Sequence, residues 1–502
     1  MKTGRVAPIL ATLALVVALV PAAAGAARAG SIASPSLVLG PKATPVAATT
    51  TSYGLFSCQV GQDTSGAVCY DPYQMRHAYS IDKLIAAGYT GSGKTIVIVD
   101  SFQSPNIVEE LNTFDAQWDL PGLNGLGGAH NPALGTFKEI APGGLTAFDS
   151  TNADMIGWAE EISLDVQWAH AIAPGANIVL DLARSDRDAD ILAATKYAVD
   201  HHLGDIISQS FGENESCVDP AILTGEHQVF AAATLKGMTI FASTGDEGAA
   251  QETCDGNSWV KAASSPAGDP LVTAVGGTEL HAADYCLVSL GCNPRAHPAP
   301  GTYQGEIAWN EDWPGYNIST GGGYSMLYRE PSYQQSAISG KQRGVPDISY
   351  SAAVLHGVLT YLDIPGDATG WYLFGGTSAG SPQWSAITAI ADQKAHHDLG
   401  FINSALYEIG GSTKTYAAAL HDVTSGNNSV VELDVNNNPV SVHGFKAGKG
   451  WDATTGLGSP TTDQLVSYLI KYVSPRDGAV AVAQSSSYSG NNPGFGGHER
   501  PH

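Results

Sequence analysis

Basic side chains are scarce in this chain. Across 502 residues, 24 Lys and Arg stand against 48 Asp and Glu, a formal net charge of -24 at pH 7. A surface that acidic repels phosphate backbones and anionic bilayers, which argues against nucleic-acid and membrane partners. Charged residues of both signs make up only 14 % and apolar residues 43 %, a packed globular composition rather than a disordered one. Past residue 20 no run is apolar for long enough to span a bilayer. Cysteines number six, and none fall as Cys-x-x-Cys, which argues against a zinc ribbon. No internal repeat is visible.

The first residues read as a leader. Lys2 and Arg5 are followed by the apolar stretch Ile9 to Val20 and by Ala27-Arg28-Ala29, a small-residue cleavage site. Residues 1–29 are therefore expected to be a secretory signal peptide and the protein to be secreted. The cysteines suit that compartment. They fall as Cys58 and Cys69, Cys217 and Cys254, Cys286 and Cys292, and local pairing is the simplest of the possible connectivities. Residues 30–66, rich in Ala, Ser, Thr, Pro and Gly, read as a linker or short propeptide. Residues 67–474 read as one large domain, and 475–502 as a flexible tail.

Within the domain, buried-strand runs occur at Thr95 to Asp100, Asn177 to Leu182, Asp205 to Ser210, Met238 to Thr244 and Pro270 to Gly276. Helical stretches start at Asn106 and cover Asp188 to Val199 and Ala221 to Leu235. Strands alternating with helices imply an α/β fold built on a parallel sheet, with chemistry at the carboxyl ends of the strands.

Three stretches carry candidate chemistry. Gly375-Gly376-Thr377-Ser378-Ala379-Gly380-Ser381-Pro382 precedes the helical run Trp384 to Ala391. It sets Ser378 at a helix amino end, where free N–H groups and a positive dipole are available. Glu161 and Asp165 lie four apart and so share one helix face, beside a buried stripe of Ile162, Val166, Ala169 and Ala173. Two carboxyls that close cannot both ionise easily, so one keeps its proton to higher pH. Asp246 follows the strand Met238 to Thr244.

The serine loop resembles that of subtilisins and of sedolisins, the serine-carboxyl peptidases. A subtilisin needs a His-Gly-Thr-His helix, which this chain lacks; His170 with Asp100 and Ser378 would be the histidine alternative. The run EISLDVQWAHAIAPGANI is similar instead to the sedolisin pattern of Glu, three residues, Asp, then Ala-Pro and a strand. That resemblance implies a subtilisin-like parallel sheet flanked by helices and hydrolysis of protein or peptide substrates in acid. It implies Ser378 as nucleophile, Glu161 as base, Asp165 as its partner and Asp246 as oxyanion donor. It also implies calcium held by Asp422, Val423, Gly448, Gly450 and Asp452. Glu247 departs from the small residue the family places there, and residues 30–66 leave little room for the long prodomain many sedolisins carry. Ser208-Gln209-Ser210-Phe211-Gly212, Gly321-Gly322-Gly323 and Val345-Pro346-Asp347 also resemble the family, as a substrate-edge strand, a glycine turn and a structural acid. The rival readings are a histidine-dependent enzyme and an inactive secreted binding protein of the same fold.

Overall fold

The structure is a computed structural model that describes residues 32–46, 54–313, 316–338 and 340–486. The leader read at residues 1–29 and most of the tail lie outside the described residues. The core is an eight-stranded sheet. Its order runs Tyr303–Ala308, Thr273–Ala282, Thr239–Ser243, Ile206–Gln209, Thr95–Ser101, Asn177–Ala183, Phe137–Ile140, with Ile348–Ser351 paired beside Thr273–Ala282. Every pairing is parallel except that of Tyr303–Ala308. This is the α/β arrangement on a parallel sheet that the alternation of strands and helices implies, and the helix-flanked, subtilisin-like form that the resemblance implies. Strands such as Thr95–Ser101 are buried on both faces after their first residue, which is why they read as continuous apolar runs rather than as alternations.

Helix Ala153–Ile172 carries Glu161 and Asp165. The sequence implies one buried stripe, but from Trp158 onward every side chain of this helix is buried. The helix packs against Ile107–Trp118, Gly380–Ala395, the Thr95–Ser101 strand and the strand His356–Asp363. A helix covered on all sides places its carboxyls in a low dielectric wherever they point.

Three disulfides form, Cys58–Cys69, Cys217–Cys254 and Cys286–Cys292, the local pairings. The region read as linker differs from a free segment. Ser34–Pro35 pairs antiparallel with Phe211–Asn214, and Val38–Lys42 pairs antiparallel with Thr369–Gly375. The Leu37-Val38-Leu39 run supplies strand-forming side chains inside a composition that otherwise reads as loop. At the other end, Asp477–Ser486 is helical and packs on Pro220–Leu235.

Asp347 is a structural acid. Its carboxylate takes both guanidinium nitrogens of Arg343 (Nη1 at 2.6 Å, Nη2 at 2.5 Å), the Tyr407 hydroxyl at 2.9 Å and the Ala274 N–H at 2.8 Å, all buried. Replacing Asp347 with Ala leaves a buried, uncompensated guanidinium, which typically costs about 3–5 kcal/mol. The variant should show a lower urea midpoint at unchanged m-value; an unchanged midpoint would contradict a structural role for this pair.

Candidate active site

Ser378 lies in the tight turn Thr377–Ala379, between the strand Thr369–Gly375 and helix Gly380–Ala395. Gly376 takes φ +96°, a left-handed conformation, and a Cβ there would collide with the Asp246 carboxylate and the backbone of Ser36 and Leu37. Pro382 sits in the first turn of the helix, where its missing N–H is not needed.

The Ser378 hydroxyl is fully buried and donates to Glu161 Oε2 at 2.9 Å, with the Ser210 carbonyl at 3.2 Å as a second acceptor. Asp165 lies one helical turn on, and Glu161 Oε1 has no hydrogen-bond partner among the described residues. Both Asp165 oxygens accept from the Ser210 hydroxyl, at 2.9 and 2.8 Å. Burial holds Glu161 well above the ordinary carboxyl range, with repulsion from Asp165 and Asp100 adding to it. Asp165 is also raised by burial, and Ser210 offsets part of that rise. Asp100, at the end of its strand, is the third member of the cluster. Neither of its oxygens has a hydrogen-bond partner among the described residues, and burial followed by repulsion from Asp165 keeps it protonated far above its usual range. A line of three buried carboxyls running to one serine can take and return a single proton.

Asp246 approaches from the opposite side. Its Oδ1 accepts from the Thr377 N–H at 2.7 Å and the Thr377 hydroxyl at 2.9 Å. Its Oδ2 is buried with no partner among the described residues. Burial, then repulsion from Glu247, pushes this carboxyl well up, and a carboxyl that keeps its proton can donate an O–H. The loop that holds it is clamped by backbone bonds: Ser319 N–H to Asp246 O and Gly321 N–H to Gly245 O, both 2.7 Å. A Cβ at Gly321 would strike the carbonyls of Thr244 and Gly245, so the triple glycine serves close backbone approach.

Other sequence candidates fall elsewhere. His170 is nine residues after Glu161, two and a half helical turns, and so points to the opposite face. Its Nε2 lies 2.9 Å from the Pro121 carbonyl and 3.1 Å from Asp115 Oδ1, with no bond to Ser378. The histidine triad is not assembled. Phe211 is 2 % exposed and packs against Trp158, which makes it a core residue. Glu247 lines a cavity of about 810 Å³ together with Gly212, Glu213, Gln251 and Met326, and is raised by burial. Ser210 was legible as part of an edge strand, but its hydroxyl bridge to Asp165 was not, because that contact joins residues far apart in the chain.

Each of the two carboxyl-terminal acids is held by a glycine N–H of the stretch before Trp451. Gly450 N–H donates to Asp422 Oδ1 at 3.0 Å and Gly448 N–H to Asp452 Oδ2 at 2.9 Å. The Thr455 hydroxyl reaches from Asp452 toward the Val423 carbonyl. Neither aspartate pairs with a lysine or arginine among the described residues. Two carboxylates without a cationic partner among the described residues, with the Val423 carbonyl within reach of the same threonine, are oxygen donors of the type calcium takes.

No family model matches the chain. Among curated proteins it is 33 % identical over 334 residues to "Kumamolisin" from Bacillus sp. (strain MN-32), covering 64 % of this chain and 53 % of the relative. It is 32 % identical over 324 residues to "Sedolisin" from Pseudomonas sp. (strain 101), covering 62 % of this chain and 49 % of the relative. The chain thus spans about half the length of the curated relatives it matches. Among solved structures it superposes on "Pseudomonas sedolisin (serine-carboxyl proteinase) complexed with two molecules of pseudo-iodotyrostatin". There the TM-score is 0.65 at 26 % identity, covering 81 % of this chain and all of that one. With the parallel sheet, the serine turn and the buried carboxyls arranged as described, these likenesses lead to one conclusion: in fold and in the residues of this cluster the chain is similar to the sedolisin-type serine-carboxyl proteinases.

Proposed function

We propose that this protein is a secreted, acid-active peptidase that cleaves peptide bonds through an acyl-enzyme at Ser378. The observation that carries the reading is the 2.9 Å hydrogen bond from the buried Ser378 hydroxyl to Glu161. Glu161 takes the serine proton as Oγ attacks the substrate carbonyl, and Asp165 shares that proton and holds the Glu161 carboxyl in place. The Ser378 N–H and the protonated Asp246 Oδ2 stabilise the oxyanion. The proton then passes to the leaving amine, and water, deprotonated by the same Glu161, hydrolyses the ester. Residues 67–474 form the peptidase domain in this reading, after a leader at 1–29 and a linker or short propeptide at 30–66, with 475–502 as a tail. No described helix is long and apolar enough to cross a membrane. The test is digestion of a denatured protein at acid pH with peptide release read by mass spectrometry; a folded, acid-incubated enzyme that releases no peptides contradicts the proposal.

Calcium belongs to the same reading. Asp422 and Asp452 with the carbonyls of Val423, Gly448 and Gly450 would hold it, and the ion would supply positive charge that offsets the repulsion of the two carboxylates. It takes no part in the chemistry. Its binding only to the folded state should raise the melting temperature. Excess chelator at neutral pH is therefore expected to lower the melting point, with recovery on adding calcium; an unchanged melting point would rule out a structural ion here.

A further inference from the structure

Away from the serine cluster, one group of side chains has the donors of a transition-metal site. Strand Thr273–Ala282 is buried residue by residue as far as Thr278 and then alternates: Leu280 and Ala282 are buried, while Glu279 and His281 are partly exposed. Two residues apart on a strand, Glu279 and His281 stand on one face. The first residue of strand His356–Asp363 meets them there. Glu279 Oε1 lies 3.2 Å from His281 Nε2 and 3.2 Å from His356 Nδ1, and one ligand atom from each residue lies within 4.8 Å of the other two. The two imidazoles cross at 81° with centroids 4.7 Å apart, so their nitrogens converge on the carboxylate without the rings stacking.

We propose that Glu279, His281 and His356 bind a divalent transition metal such as zinc, at a site that shares no residue with the serine cluster or with the carboxyl-terminal aspartates. The spacing fits. Zinc holds imidazole nitrogen and carboxylate oxygen at about 2.0–2.2 Å, and tetrahedral geometry then sets neighbouring ligands about 3.3–3.5 Å apart. The two 3.2 Å contacts are close to that edge length. They are also longer than closed ion pairs. A charge-assisted N–H···O bond closes to about 2.7–2.9 Å, and His77 with Asp82 and His227 with Asp269 reach 2.7 Å in this same molecule. His356 Nδ1 is instead buried with no hydrogen-bond partner among the described residues.

The surroundings leave room and hold the ligands still. Gly305 stands opposite His281 on the neighbouring strand, and a Cβ there would meet nothing within 4 Å. The segment before His356 is fixed by Glu311, whose two oxygens accept the Val354 and Leu355 N–H groups at 2.8 Å each, and by the Val68 N–H, which donates to the Leu355 carbonyl at 2.7 Å. Ligands carried on such fixed strands keep their geometry. Two nitrogen donors set this site apart from calcium, which takes oxygen. Three protein ligands leave a fourth position for water. The ion would tie the central sheet to the hairpin of His356–Asp363 and Thr369–Gly375, which leads into the serine turn.

The test is titration of zinc chloride into the full chain, carrying no histidine tag, by isothermal calorimetry in excess calcium at pH about 7.5, where imidazole is neutral. Melting temperatures are read with and without zinc. The wild type should bind one zinc ion that His281→Ala and Glu279→Gln each weaken by more than about 100-fold, beyond the 10–100-fold that loss of an outer partner costs. Zinc should raise the melting temperature of the wild type and not that of His281→Ala. His356→Ala should match His281→Ala; if it fails to fold, His281→Ala decides, since that side chain is 43 % exposed. X-ray absorption at the zinc edge should show two imidazoles in a shell of nitrogen and oxygen only. A wild type that binds no zinc overturns the proposal. So does zinc that binds His281→Ala as tightly as the wild type, or a zinc shell without imidazole. None of these readouts measures peptidase activity, so the proposal stands or falls apart from that reading.

Discussion

Ser378→Ala is expected to lower peptidase activity by about a millionfold, the scale seen when a nucleophile is removed, while the protein still folds. The change deletes one buried oxygen whose bonds go to Glu161 and Ser210, so no scaffold contact depends on it. Glu161→Gln should be nearly as damaging. Glutamine keeps the shape and the hydrogen bond but cannot accept the serine proton, and effects of residues acting on one proton are not additive. His170→Ala should behave differently: it vacates a buried site beside Asp115 and Pro121, lowering the melting temperature, but activity per folded molecule should persist. Circular dichroism with kinetics on titrated active enzyme separates the two effects. Full activity in a folded Ser378→Ala protein would remove the basis of the account.

The second large effect is on pH. Asp246 donates a hydrogen bond only while protonated, and its carboxyl is held up by burial and then by Glu247. Activity should therefore be lost as pH rises through that raised value. At the acid end, Glu161 and Asp165 both gain protons and the base disappears, so the profile has two limbs whose midpoints belong to the coupled groups rather than to single residues. Stability should follow the same direction. Glu110, Glu215 and Asp181 are each pushed up to about 7 by burial, and Glu226 to about 8. In the folded state these groups bind protons that the unfolded chain, with carboxyls near pH 4, has already released. The stability they contribute is present below the unfolded values and is lost as pH rises through the raised folded ones. The melting temperature should thus be higher in mild acid than at pH about 8, where such groups ionise. The opposite slope would mean that these carboxyls are ionised and paired when folded.

The sheet was legible because each parallel strand reads as an apolar run that ends in a polar residue. The limits of those strands shifted by one to three residues at most ends, and Thr273–Ala282 ran further than its apolar start suggested because its second half pairs with Tyr303–Ala308. The shared helix face of Glu161 and Asp165 and the glycine-flanked helix start at Ser378 were legible from local spacing, whereas joining them into one candidate site rested on the resemblance. Ser210, Asp100 and the Gly321 clamp act through contacts across the sheet, and no local pattern records such contacts. The segment at residues 34–42 was masked by its composition. Short paired strands of Ser, Pro and Gly owe their order to the edges they lie on, and those edges come from residues 211–214 and 369–375.

The most direct test of the carboxylate relay is a pH–rate profile on a denatured protein substrate, run for the wild type and His170→Ala in parallel. The account predicts that both are active in acid and both decline as pH rises toward neutrality and beyond. A histidine base would instead gain activity as pH climbs past about 6.5. A wild type fully active at about pH 8, with that activity lost in His170→Ala, would contradict the carboxylate relay.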